Sequence, residues 1–335
     1  MKAWQLSAQT GPTALQIVDL PEPVPGPGQV LVRVRAASLN YRDQMVADGR
    51  YGRVLLPLMP LSDGAGEIAA VGAGVTRWRT GDRVAGTFFQ GWRTGPLRRE
   101  YLGTALGGAL PGMLAEYVVL AEHGVVSVPP HLDFKQAATL PCAGLTAWHS
   151  LVSAGKVNAA ETVLLLGTGG VSLFALQFAK MHGARVIIIS SSDDKLIRAE
   201  ALGADAIINY RAIPDWEKEV FRLTGKAGVD QVVEVGGSGT LSKSLRCLAA
   251  GGQVHLVGGV SGFSGEVPLL DIISKMAVIR GIYVGTAEMF EAMNQAMLWH
   301  RTEPVVGRVF DFADAVAAFQ YQLSGAHFGK VVIKI

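Results

Sequence analysis

Residues 163–180, VLLLGTGGVSLFALQFAK, set a short apolar run, a glycine-rich turn and an amphipathic stretch in immediate succession. That order constrains the chain more than any other feature. The apolar run at 163–166 suits a parallel strand buried on both faces, and Leu173, Leu176, Gln177 and Lys180 mark one stripe of a helix. Between them, Gly167 permits a tight turn and Gly169 lets the backbone come close to a bound group. Thr168, Gly170 and Val171 complete the loop. The free N–H groups and positive dipole end of the following helix would face a pyrophosphate. Ser172 stands where such loops usually carry a third glycine, and it is still small enough for close helix–strand packing. The segment predicts a dinucleotide site.

The pattern continues. Strands are expected at 185–190, 206–209, 229–235 and 253–258, with helices at 193–202 and 241–248, joined by short Gly or Asp turns. Strands alternating with helices specify an α/β fold built on a doubly wound parallel sheet. Before about residue 122 the texture differs. Short β-type runs at 30–34 and 117–120 lie between Pro and Gly clusters, residues 20–28 read as an extended polyproline entry, and glycines punctuate a meander that reaches Val84. This is an irregular β domain. Residues 89–112 show little periodicity and are expected to form a long loop over the surface or the site mouth. After a strand at 278–284, the chain ends in helices at 287–299 and 312–323 and a strand at 330–335. The expected domains are residues 1–124, 125–284, and a C-terminal return at 285–335, with a substrate cleft between the lobes.

At 335 residues the chain can bury two cores, and its net charge of +2 with 17% charged residues gives no basic face for nucleic acid. The densest basic group, Arg93, Arg98 and Arg99, reads as a solvated loop. Two cysteines, Cys142 and Cys247, supply neither a disulfide scaffold nor a four-thiolate metal site. No signal core or membrane-length apolar run is evident, so a cytoplasmic protein without membrane partners is expected. The seven histidines show no metal-ligand spacing and are expected at the surface or at helix caps.

Several motifs carry a family resemblance. They are Ser38-Leu39-Asn40-Tyr41-Arg42-Asp43, Pro60-Leu61-Ser62-Asp63-Gly64-Ala65-Gly66-Glu67, Gly81-Asp82-Arg83-Val84, Pro141-Cys142-Ala143-Gly144-Leu145-Thr146, the glycine loop itself and Phe328-Gly329-Lys330. In these the chain resembles the medium-chain dehydrogenase/reductase superfamily, in its zinc-free branch of quinone oxidoreductases and related alcohol dehydrogenases. The resemblance implies a GroES-like catalytic domain, a Rossmann domain, and a homodimer formed through the edge at 278–284. Zinc relatives hold their metal with Cys, His and a third Cys or acidic ligand. The matching positions here are Asn40, Ser62 and Cys142, and one thiol with an amide and a hydroxyl does not make a three-ligand site. No zinc is expected. Residues 89–112 carry no cysteine for a structural zinc either, and Cys142 reads as a small buried apolar residue.

The resemblance also implies roles. Asn40 could donate to a substrate carbonyl and Tyr41 could donate or supply a proton, with Asp43 the third catalytic candidate. Arg42 and Asp43 read first as a loop-fixing ion pair, Tyr51 as surface packing, and Asp63 as a residue that positions neighbours. Thr146, Gly258, Gly259, Val284 and Lys330 are carried over as cofactor positions. For the cofactor, an NAD enzyme places a carboxylate at the end of the second strand, where this chain reads Ser190-Ser191-Ser192. Lys195 and Tyr210 could join these hydroxyls around a 2′-phosphate, which favours NADPH over NADH unless Asp193 or Asp194 turns back. The expected activity is hydride transfer to a quinone or α,β-unsaturated carbonyl. A zinc-free NAD(P)-dependent alcohol dehydrogenase or aldehyde reductase is the rival, and a non-catalytic NADPH-binding sensor or structural protein is an alternative of another class.

Overall fold

The apolar run at 163–166 forms the strand Thr162–Leu166, buried in all but its first residue, in the computed structural model, which describes residues 1–335. Around it lies a six-stranded sheet in the spatial order Ala206–Asn209, Arg185–Ser190, Thr162–Leu166, Val229–Glu234, Leu248–Leu256, Val278–Gly281. Every pairing is parallel. In chain order this reads third, second, first, fourth, fifth, sixth, the Rossmann arrangement. Its direction reverses between Thr162–Leu166 and Val229–Glu234, so a crevice opens past their carboxyl ends. Leu164, Leu166, Ile187, Ile189, Val232 and Val254 fill the sheet's core. The helix expected at 241–248 stops at Arg246, and the next strand begins at Leu248. Leu248 pairs with Val229 of the neighbouring strand instead, so the end of the expected helix is drawn into the sheet.

The chain divides into two compact units, Met1–Leu145 with Val284–Ile335, and Thr146–Tyr283. The first is built on a seven-stranded sheet ordered Val306–Asp311, Lys330–Lys334, Gln29–Ser38, Asp63–Val71, Arg83–Gly86, Val125–Ser127, with Tyr117–Ala121 also paired to Gln29–Ser38. The GroES-like β domain therefore takes its last two strands from the far end of the chain, in register Val332 with Ser38. Gly66 lies opposite Val34, and a Cβ there would sit 2.0 Å from the Arg33 carbonyl oxygen. Only glycine lets the two strands approach this closely.

Two expectations are corrected by the packing. The stretch at 89–112 is not a plain surface loop, since Phe89, Trp92, Ala105 and Leu106 are buried and edge-to-face contacts join Phe88, Phe89 and Trp92. Aromatic burial pins it, while Arg93, Arg98 and Arg99 stay exposed. His255 is not a surface residue either. It is fully buried in the parallel sheet, its Nε2 2.9 Å from Gln231 Oε1, and burial pulls its pKa down to about 4. No helix is long and apolar enough to cross a membrane.

Candidate active site

In the first unit, strand Gln29–Ser38 runs through Leu39 and Asn40 into the helix Tyr41–Ala47. Asn40 is the N-cap, and its backbone N–H donates to Asp43 Oδ2 at 2.7 Å. The aspartate thus locks the turn that presents the asparagine side chain. Asn40 Nδ2 lies 3.5 Å from Ser62 Oγ, and Ser62 donates to Asp63 Oδ1 at 2.8 Å. Asp63 Oδ2 accepts the Cys142 N–H at 3.2 Å. The Lys330 ammonium enters from the last strand and donates to Leu39 O and Asn40 Oδ1. All three positions that match metal ligands are therefore brought together, along with two carboxylates and an ammonium.

Burial dominates the electrostatics. It pushes the Asp43 carboxyl up to about 6, against the lowering influence of the Arg42 charge and the Asn40 N–H. Asp63 is also pushed up by burial, and the Lys330 charge opposes the shift. Cys142 is half-buried as a residue, yet burial of its thiol and the Asp63 carboxylate push its pKa up, so the thiol is neutral as it stands. No group of three or more His, Cys, Asp or Glu side chains is placed to hold a metal ion, and the cation already against Asn40 is Lys330. The donor set does not fit zinc.

The expected Arg42–Asp43 ion pair does not form. Arg42 turns away from the cap, donates to Leu106 O at 2.6 Å, and lies with its guanidinium carbon 4.8 and 4.6 Å from the Tyr51 and Phe88 ring centroids. The two aromatic faces hold the cation that the aspartate, committed to the cap, cannot. Tyr51 is accordingly a packing partner of Arg42. The Tyr41 hydroxyl accepts from Arg50 Nη1 at 3.2 Å and takes no bond from Asn40, Ser62 or Asp63.

In the second unit, Gly167 has φ +72° and its N–H donates to Ile189 O at 2.7 Å, which closes the turn. The helix Gly170–Met181 starts at the Gly169 cap, and its first bond runs from Leu173 N–H to Gly169 O. The N–H groups of Gly170, Val171 and Ser172 precede that bond, as an anion site at a helix start requires. A Cβ on Gly169 would meet nothing within 4 Å, so the space above the loop is open, and the cradle fits a dinucleotide pyrophosphate. Thr168 is buried beside it. Ser172 Oγ donates to Leu166 O at 2.7 Å, so the residue in the third glycine's place ties the helix back to its strand.

At the next strand end, Ser190 is buried and its carbonyl accepts Tyr210 N–H at 3.0 Å. Ser191 and Ser192 are half-buried, and Ser192 caps the helix Asp193–Ala201. Asp193 Oδ1 accepts from Asn209 Nδ2 at 2.8 Å and is held along the helix start, while Asp194 is exposed. Lys195 is half-buried, and burial lowers its pKa. Thr146 is buried with its carbonyl bonded to Ser150 Oγ at 2.8 Å. Gly258 donates to Glu234 O at 3.3 Å, and Gly259 packs against Gly237. Val284 lies in the first unit, buried, with φ +53°.

Glu234 belongs to none of the sequence motifs and emerges only in the fold. This buried carboxylate accepts from Gly236 N at 2.7 Å, Gly237 N at 3.1 Å, Thr240 Oγ1 at 2.6 Å and Ser244 Oγ. It clamps the turn after the fourth strand, at the edge of the crevice. A glutamate ending an apolar strand just before Gly-Gly was the available signal.

Comparison with known proteins identifies the family. Residues 170–299 match the family described as zinc-binding dehydrogenase, and residues 26–130 match the alcohol dehydrogenase GroES-like domain. A zinc-type alcohol dehydrogenase-like protein of Schizosaccharomyces pombe is 44% identical over 92% of this chain and 91% of its own. A quinone oxidoreductase of Pseudomonas aeruginosa is 36% identical over 87% of this chain and 85% of its own. A solved NAD-dependent alcohol dehydrogenase, 36% identical, superposes with a TM-score of 0.92 over 100% of both chains. The chain belongs to the medium-chain dehydrogenase/reductase superfamily and is an NAD(P)-dependent oxidoreductase of its quinone oxidoreductase and alcohol dehydrogenase-like group.

Proposed function

We propose that the protein is a zinc-independent, NADPH-dependent reductase of quinones or α,β-unsaturated carbonyls. The observation that carries the reading is the cluster in which Asn40 and Ser62, an amide and a hydroxyl at positions that match metal ligands of zinc relatives, meet the Lys330 ammonium. Oxidising an unactivated alcohol gains greatly from a Lewis acid, whereas reducing a conjugated carbonyl spreads the developing negative charge onto an oxygen that ordinary donors can stabilise.

The nicotinamide, when bound, supplies the hydride. Gly167, Thr168, Gly169, Gly170 and Val171 would hold the pyrophosphate, and Ser190, Ser191, Ser192, Lys195 and Tyr210 the 2′-phosphate. Asp193 is bonded to Asn209, which supports this choice, because a carboxylate facing the ribose would favour NADH. The Asn40 amide donates to the acceptor oxygen, Asp43 fixes the turn that carries Asn40, and the Tyr41 hydroxyl is the group proposed to deliver a proton. The protein works as a homodimer through the open edge of Val278–Gly281, which is supported by the exposed Leu269, Leu270, Ile273 and Met276 just before that strand.

Stopped-flow oxidation of NADPH and NADH against quinones, enals and saturated aldehydes tests the reading, with metal analysis of the same preparation. The expected result is turnover of quinones or enals, preference for NADPH, less than one-tenth zinc per chain and no loss on chelation. Turnover of saturated aldehydes alone, or activity lost with a stoichiometric zinc, would refute it. NADPH binding without consumption would point to a sensor.

A further inference from the structure

Lys330 lies on the last strand of the first unit, 3% exposed, with its ammonium bonded to Leu39 O and Asn40 Oδ1. An ammonium has donors and no acceptor, so the atom of Asn40 that meets it must be the oxygen. The capping box at the helix start also turns the Asn40 side-chain oxygen toward the Asp43 N–H, and Lys330 fixes that orientation with a full charge. The amide nitrogen then faces Ser62 Oγ at 3.5 Å, and Ser62 passes its own proton on to Asp63 Oδ1 at 2.8 Å. Each hydrogen bond in the series runs the same way, from the cation at Lys330 to the carboxylate at Asp63, which the Cys142 N–H anchors from its other oxygen at 3.2 Å.

We propose that Lys330 is a positioning residue of this site, an internal cation that turns the Asn40 amide nitrogen outward and strengthens it as a donor to the acceptor oxygen. The inference rests on the reading of Asn40 given above. Two features support it. First, the amide nitrogen carries two protons, and although Ser62 at 3.5 Å and the Asp63 carboxylate share one side of it, the second proton can donate to an incoming oxygen. Second, a positive charge on the amide oxygen draws electron density from the nitrogen, and hydrogen bonds in a chain polarise one another in a low-dielectric site. Lys330 thus supplies, through Asn40, the fixed positive charge that a metal ion supplies directly in zinc relatives. The carboxylates of Asp43 and Asp63 are its electrostatic counterweights.

The test compares wild type, Lys330→Met, Asn40→Ala and the double variant. Removing one donor to a developing oxyanion costs on the order of a hundredfold in kcat. Asn40→Ala is expected near that value and Lys330→Met at roughly a tenth to a third of it, with KM for the acceptor and Kd for NADPH within about threefold of wild type. The double variant should be no worse than about threefold below Asn40→Ala alone, because the lysine acts only through the asparagine. Losses that multiply would overturn the proposal, as would a Lys330→Met enzyme with unchanged kcat, or one whose main defect is weak NADPH binding. Should Lys330→Met fail to fold, Lys330→Gln carries the same measurement, and a kcat equal to wild type refutes the role. The side-chain NH2 signals of Asn40 in a ¹⁵N spectrum, assigned by their loss in Asn40→Asp, give a readout that needs no substrate. They should move and exchange faster in Lys330→Met, and unchanged signals would overturn the proposal even if no acceptor were ever found. A silent wild-type enzyme with the expected spectral change would refute the reductase reading alone.

Discussion

Replacing Glu234 by Gln tests whether a buried carboxylate organises the crevice edge of the Rossmann unit. The carboxylate accepts four donors: Gly236 N, Gly237 N and Thr240 Oγ1 on one oxygen, and Ser244 Oγ on the other. It has no ion-pair partner, so these neutral donors carry the whole compensation for its burial. A hydrogen bond to a charged group is worth about 1 kcal/mol more than a neutral one, so four such bonds lose about 4 kcal/mol on neutralisation. An amide is cheaper to bury than a carboxylate, which returns about half, and the Ser244 hydroxyl can turn to accept from the new amide nitrogen. The net cost is about 2 kcal/mol. At roughly 3 °C per kcal/mol for a unit of this size, the melting temperature should fall by about 6 °C. Glu234→Ala, which orphans all four donors, should lose at least about 4 kcal/mol. Thermal unfolding followed by circular dichroism, with and without NADPH, reads both variants. A Glu234→Gln protein melting within a degree of wild type, or an alanine variant no worse than the glutamine one, would refute the reasoning.

Other outcomes follow from single residues. Asp43 binds its proton more tightly folded than unfolded, so its contribution to stability is complete below the ordinary carboxyl pKa of 3.8 and is lost as pH rises through about 6. Asp43→Asn should therefore gain on wild type between pH 4 and pH 7 in paired melting curves, and a gap that widens against the variant would contradict the burial account. Gly169→Ala should melt within a degree or two of wild type, because its Cβ meets nothing within 4 Å, yet weaken NADPH binding at least tenfold by titration calorimetry. Gly66→Ala, whose Cβ would lie 2.0 Å from the Arg33 carbonyl oxygen, should cost at least about 4 kcal/mol or yield no soluble protein. Ser191→Asp should lower the ratio of kcat/KM for NADPH over NADH by at least tenfold in steady-state assays, and an unmoved ratio would remove the serine run from 2′-phosphate recognition.

The cofactor unit was legible because its signals are local. A strand, a turn and a helix at 163–180 need only their own residues to declare themselves, and the repeated apolar runs at 185–190, 206–209 and 229–235 forced a parallel sheet. Elsewhere a long-range partner decides. Sequence adjacency pairs Arg42 with Asp43, but in the fold it meets Tyr51, Phe88 and Leu106 instead. His255, unremarkable in a list of histidines, is buried by a strand that places Gln231 beside it. The stretch at 89–112 lacks periodicity because its anchoring aromatics are spaced for a turn-rich fold and not for a helix or strand.

The sequence by itself determined the dinucleotide loop and the doubly wound sheet, since each depends on residue type and short-range spacing, and the family resemblance marked positions 40 and 62. The tertiary structure alone decided which cation meets Asn40. Pairing Val332 with Ser38 carries Lys330 to the level of Asn40, across 290 residues of chain. No periodicity or motif encodes such a contact, because the register of two strands so far apart is fixed only when the sheet closes around its core.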